Sequence, residues 1–177
     1  SDMWSSTGTA TTSELANVLS EEHGFHVTVA ESSRESLKKD IEAFKARIAG
    51  SELALVVLVG GIDHNENGTS IQLMPPRRGS DPFTLELTPL LDQLVRGSKA
   101  AVVVLQQVER SLPTNSSRRA GVGRLPEIDG RLQIAFAPYV GAKVGTILPA
   151  LTMEIKSSRE QSSLDPAVVI TAARDVE

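Results

Sequence analysis

LVVLVGGIDH, residues 55–64, is the stretch on which the fold turns. With the residues before it, ELALVVLVGG is apolar on both faces, as a strand covered by helices on both sides must be, and this predicts a place in the middle of a sheet. The run ends in Gly60 and Gly61, where a buried parallel strand would hand a functional group to the top of the sheet. Glycine supplies no nucleophile, base or ligand. Two further runs, AAVVVLQQ at 100–107 and RLQIAFAP at 131–138, read as strands of the same sheet.

Between the strands the apolar spacing changes to that of helices. Leu15, Val18 and Leu19 share one face of a helix over 12–22, stopped by Gly24, and FHVTVA at 25–30 alternates as a strand. Ser32 and Ser33 are N-caps for a helix with a Leu37, Ile41, Phe44 and Ile48 stripe, closed by Gly50. IDHNENGTSIQLM reads as a β-hairpin turning at Asn67-Gly68. Thr88-Pro89 is a cap and first-turn proline for a helix through Leu90, Leu91, Leu94 and Val95 to Gly97. SLPTNSSRRAGVGRL, 111–125, has no periodicity and reads as an exposed, mobile connection. Helices follow from Ile147 to Lys156, with Pro149 in the first turn, and from Asp165-Pro166 to the C-terminus, where AVVIT also reads as a strand. Strands alternating with amphipathic helices predict an α/β fold, a three-layer αβα sandwich around a mainly parallel sheet.

The composition excludes several classes of function. A single domain of 177 residues with 40% apolar and 23% charged residues is an ordinary globular chain. Its net charge of −4 gives no basic face for nucleic acid. No run approaches the roughly 18 apolar residues of a membrane span. There is no cysteine, so disulfides, thiolate metal sites and thiol nucleophiles are all absent. Ser1-Asp2 ahead of Met3 reads as a cloning scar.

Ligand sites in such sheets lie beyond the carboxyl ends of the central strands, which points to Gly60, Gly61 and Ile62 and to Gln106, Gln107, Val108 and Glu109. Here a resemblance emerges. The order GFHVTVAESSRESLKKDIEAFKARIAGSELALVVLVGG, a hairpin, a helix, AAVVVLQQVER, a loose linker and RLQIAFAPYVGAK resembles the bacterial caspase-like peptidases of the metacaspase and orthocaspase group over residues 11–177. In that family the first central strand ends in Ser-Gly-His-Gly, with the His as general base, and the next in Asp-Ala-Cys-Arg, with the Cys as nucleophile. The imidazole favours the thiolate, which is the attacking species. On this chain the base position is Gly61 and the nucleophile position Val108. The two carboxylates that would hold an Arg or Lys of the substrate map to Gln106 and Thr11. The resemblance therefore implies a single caspase-like domain, 1–177, with an altered segment at 1–10, a large-subunit-like part at 11–110, a linker at 111–130 and a small-subunit-like part at 131–177. It implies no catalytic residue, metal or cofactor.

Other polar residues read as ordinary loop chemistry. His64, with Asp63, Asn65 and Glu66, sits at the hairpin start and reads as an exposed polar turn, neither a displaced base nor a cation site. His23 and His26 read as surface or capping residues. Ser111 and Ser116 have no His or Lys placed to activate them. Arg77-Arg78 and Arg118-Arg119 sit in loops, and the second pair lies where relatives are cut during maturation; here the linker is expected to stay intact. MWSSTGTATT, 3–12, contains no apolar run where the family has its first strand, a loss that would leave unpaired backbone in mid-sheet. The chain stops inside what reads as its last helix, as an excised core would. The expectation is an inactive pseudopeptidase acting as an interaction, regulatory or scaffold domain, with a protein partner or second copy engaged near 131–138 or at the altered cleft. The alternatives are a hydrolase rebuilt on His64 or a loop serine, and a structural module of a larger signalling protein.

Overall fold

The computed structural model describes residues 12–22, 24–29, 34–73, 83–107, 117–123, 125, 130–137 and 147–157. Helix α1 covers 12–17 and passes into one π turn, Val18–Glu22. Gly24, at φ 66°, reverses the chain so that the Phe25 amide donates to the Leu19 carbonyl, 3.0 Å, one residue further back than in an ordinary glycine cap because of the π turn. Helix α2 (Arg34–Arg47) leads into β1 (Ser51–Asn65), then β2 (Gly68–Leu73), β3 (Phe83–Glu86), α3 (Leu87–Gly97), β4 (Ser98–Gln107), β5 (Arg119–Ala120), β6 (Leu132–Ala137) and α4 (Ile147–Ser157).

The fold is α/β, with one six-stranded sheet in the order β3-β2-β1-β4-β6 and β5 attached to β1. Strand β4 decides the layering. Its side chains alternate, Val102 and Val104 meeting Leu15, Val18 and Leu19 of the first helical segment and Leu148, Leu151 and Ile155 of α4. Ala101, Val103 and Leu105 meet Ile48 and Leu87, Leu90, Leu91 and Leu94 of α3. An apolar core therefore lies on each face, which is why β4 carries no polar residue between Ala100 and Leu105. Leu94 has no exposed surface, so Leu94→Ala is expected to lower unfolding stability in urea by about 3 kcal/mol through lost burial and the cavity left behind.

The sheet is mixed, where a mainly parallel one was expected. β1 pairs with β4 and β4 with β6 in parallel, but β1–β2, β2–β3 and β1–β5 are antiparallel. The cause is the length of β1. It runs parallel to β4 as far as Gly60↔Gln107 and then continues straight into the hairpin through Asn65, so the hairpin joins the same sheet. The turn lies one residue earlier than Asn67-Gly68: Glu66 and Asn67 form the loop, Asn65 pairs with Gly68, and Gly68, at φ 138°, opens β2. Helix α3 begins at Leu87, so Thr88 and Pro89 lie in its first turn and Glu86 stands at the N-cap without a side-chain cap bond.

FHVTV, 25–29, is a correction. It alternates in exposure as a strand would, but it belongs to no ladder of the sheet. The only strand paired with β1 over 51–60 among the described residues is β4. The difference shows in burial. Val102 to Leu105 are fully covered, whereas Leu53 and Leu55 to Leu58, of the same composition, are only half-buried and Val59 is 36% exposed. An alternating sequence supplies a strand's side-chain pattern, but a ladder also needs a neighbour with free backbone groups.

Candidate functional site

The strand ends singled out by the sequence meet where β1 and β4 part. Gly61 is buried and pairs with Gln72 of the hairpin. Gln106 lies between Val59 and Ala137 in the ladders and is 3% exposed. Its Nε2 donates to the Gln107 carbonyl, 3.1 Å, and its Oε1 is buried without a hydrogen-bond partner among the described residues. The structure thus brings two of the four predicted positions to one end of the sheet; Thr11 and Val108 lie outside the described residues. A neutral amide at Gln106 carries no charge to offset a buried guanidinium or ammonium. Two surface clefts of about 440 and 460 Å³ open elsewhere, and neither is lined by Gly61 or Gln106.

The polar constellation of the molecule sits just beyond, and it overturns two expectations. Only Glu66 and Asn67 of DHNEN form an exposed turn, because β1 continues through Asn65 and leaves Asp63 1% exposed and His64 half-buried. The linker is no mobile connection over 117–123, because β5 adds to β1 with Asp63↔Ala120 and His64↔Arg119. Asp63 and His64 pair with Ser70 and Thr69 of β2 as well, so both backbone edges of β1 are used there. Arg118, two residues before Ala120, falls on the same face as Asp63 by the period of a strand. Its Nε donates to Asp63 Oδ1 and one terminal nitrogen to Ser70 Oγ, while Ser70 Oγ donates to Asp63 Oδ1 at 3.1 Å.

The opposite face is closed by the glycines of the segment. The Gly121 amide donates to the Ile62 carbonyl, 2.9 Å, with Gly121 at φ 98°. The Gly121 carbonyl accepts from His64 Nδ1, 3.1 Å, which fixes the proton on that ring nitrogen because a carbonyl can only accept. The Gly123 amide donates to Thr69 Oγ1, 3.1 Å, and a Cβ at Gly123 would stand 2.7 Å from the His64 Cβ. The signal for this docking was present in RRAGVG, where Gly121 and Gly123 mark a turn and a close backbone approach.

What the cluster can do chemically is limited by access. Ser70 is 1% exposed and bonded to the Asp63 carboxylate and the Arg118 guanidinium, so its hydroxyl is closed off from a substrate. His64 follows Asp63 directly and so points to the other side of β1. Among the described residues no histidine hydrogen-bonds a serine, and no three His, Asp or Glu side chains are grouped as a metal site would require. Ser111 and Ser116, the serines considered for a rebuilt site, lie outside the described residues, as do Arg77, Arg78 and His23; His26 is exposed. No family model, curated protein or solved structure matches the chain. No helix among the described residues is long and apolar enough to cross a membrane.

Proposed function

We propose that the chain is a caspase-like domain that has lost its chemistry and serves as a protein-interaction, regulatory or scaffold module. The observation that carries the reading is the end of β1 and β4, where buried Gly61 and buried Gln106 stand in place of an imidazole and a carboxylate. Acyl transfer needs a nucleophile activated by a base within hydrogen-bond reach, and neither residue supplies one. The apolar pattern of β1, β4 and β6 is what the fold requires, and it is kept while the site groups are not.

The interaction part of the reading rests on β1. Half-buried Leu53 and Leu55 to Leu58 and exposed Val59 are more apolar than a strand with water on one side needs to be, which suits a surface covered by a partner or by a second copy. The protein incubated with fluorogenic peptides ending in Arg, Lys or Asp is expected to release no fluorophore above a blank. Release that tracks the protein through purification would remove the proposal.

A further inference from the structure

We infer that Asp63, Ser70 and the backbone of β1 at 62–64 form a binding site for an arginine-bearing extended peptide of a partner protein, which the chain's own segment 117–123 fills in this structure. The inference stands on this geometry alone and does not depend on the caspase-like reading.

The site has the two parts that strand-addition sites use. One is a main-chain edge, taken here by β5 through Asp63↔Ala120, His64↔Arg119 and the Gly121 amide on the Ile62 carbonyl. The other is a pocket for one side chain, here a guanidinium read by a carboxylate and a hydroxyl at once. That two-point contact matches the planar fork of arginine; the point charge of lysine reproduces it poorly. A cleft of about 460 Å³ lined by Asn65, Asn67, Glu86, Thr88, Pro89 and Arg118 opens beside the guanidinium and adds a second carboxylate.

The asymmetry of burial indicates exchange over simple opening. Asp63 is 1% exposed and its partner Arg118 27% exposed, so water and an incoming peptide reach the cation but not the acid. Withdrawing Arg118 would take a guanidinium away from a buried carboxylate, which is unfavourable. A competitor that supplies a guanidinium in the same act avoids that loss, which favours an arginine-bearing occupant. Apart from the ion pair the segment is held by the short ladder to β1 and by the Gly121 and Gly123 hydrogen bonds, which an extended peptide of like sequence can reproduce. Arg119 and Ala120 are exposed, and Val122 and Leu125 are only half-buried against the core. An arginine peptide restores the ion pair and the ladder together, and loses little else.

The test uses a fluorescein-labelled peptide SSRRAGVG, the sequence of 116–123, on the unaltered protein and on Arg118→Gln, read by fluorescence anisotropy. Arg118→Gln is expected to bind it about tenfold or more tightly than the unaltered protein, and a peptide with Gln at its first Arg is expected to bind about tenfold more weakly, as a lost charge-assisted bond predicts. Hydrogen exchange on the unaltered protein provides the second measurement. Excess peptide is expected to speed exchange of the Gly121 amide, and the Gln-substituted peptide to leave it unchanged. A folded Arg118→Gln that distinguishes neither peptide overturns the proposal. If that variant does not fold, unchanged Gly121 exchange in excess peptide overturns it instead. A concentration-dependent dimer whose Gly121 amide is unaffected by peptide assigns the site to a second copy's segment, and also overturns it.

Discussion

Arg118→Ala is expected to lower the free energy of unfolding by about 3 kcal/mol, because the change removes the cation from a carboxylate that cannot reach water. Most of that loss is the desolvation of Asp63 no longer offset by the guanidinium, and only a part is the attraction itself. The comparison that isolates the cause is Lys99, whose ion pair with Glu52 has both side chains more than two-thirds exposed, at 69% and 79%. Lys99→Ala is expected to change stability by no more than about 0.5 kcal/mol, since an exposed pair gains little beyond what water already supplies. The double change Asp63→Leu with Arg118→Met removes both charges and is expected to recover a large part of the single-variant loss. Urea denaturation of the four proteins checks all three statements. Equal losses for Arg118→Ala and Lys99→Ala would mean that Asp63 is solvated in solution and the docked segment is not the state that folds.

Gly60→Ala is the second large effect. A Cβ at this position would overlap the Gln72 carbonyl oxygen and stand 3.0 Å from Ile71 Cγ1, and the first of these is backbone that cannot rotate away. Relief requires β1 and β2 to separate, at an expected cost of about 2–3 kcal/mol. The loss should appear with faster hydrogen exchange at Ile71 and Gln72 and little change in β4 or β6. Gly130→Ala, where a Cβ meets nothing within 4 Å, is expected to be neutral within about 0.5 kcal/mol. This gives one of the two glycines after Val59 a structural reason. Gly60 is small because the hairpin strand crosses close to it.

Much of the architecture was legible because it depends on periodicity. The two-sided apolar run of β4 and the one-sided stripe of α3 each fix local geometry from neighbouring residues and are found where they were read, and the hairpin turns one residue before Asn67-Gly68. What was not legible depends on partners distant in sequence. FHVTV has the alternation of a strand, but a ladder needs an available edge, and sequence alternation cannot report one. DHNEN has the composition of a turn, yet Arg118 from 55 residues away neutralises Asp63 and draws it inside. Polar composition predicts exposure only where no opposite charge arrives. The same contact explains why the linker was misread, since its Ser and Gly content signals low local preference and says nothing of an ion pair waiting on β1. Of the four site positions, Gly61 and Gln106 converge because parallel strands of matched register end together.

The proposal that a caspase-like fold is kept here without its chemistry is tested most directly by a peptidase assay on Arg, Lys and Asp fluorogenic peptides. It compares the unaltered protein with Gly61→His, Val108→Cys and the double variant, each first checked for folding. No turnover is expected from the unaltered protein. None is expected from the double variant either, because on the proposed reading Gln106 and Thr11 would leave a substrate cation without carboxylates even with a dyad restored. Cleavage by the unaltered protein would contradict the account, and would require a nucleophile other than Ser70, whose hydroxyl is buried against Asp63 and Arg118.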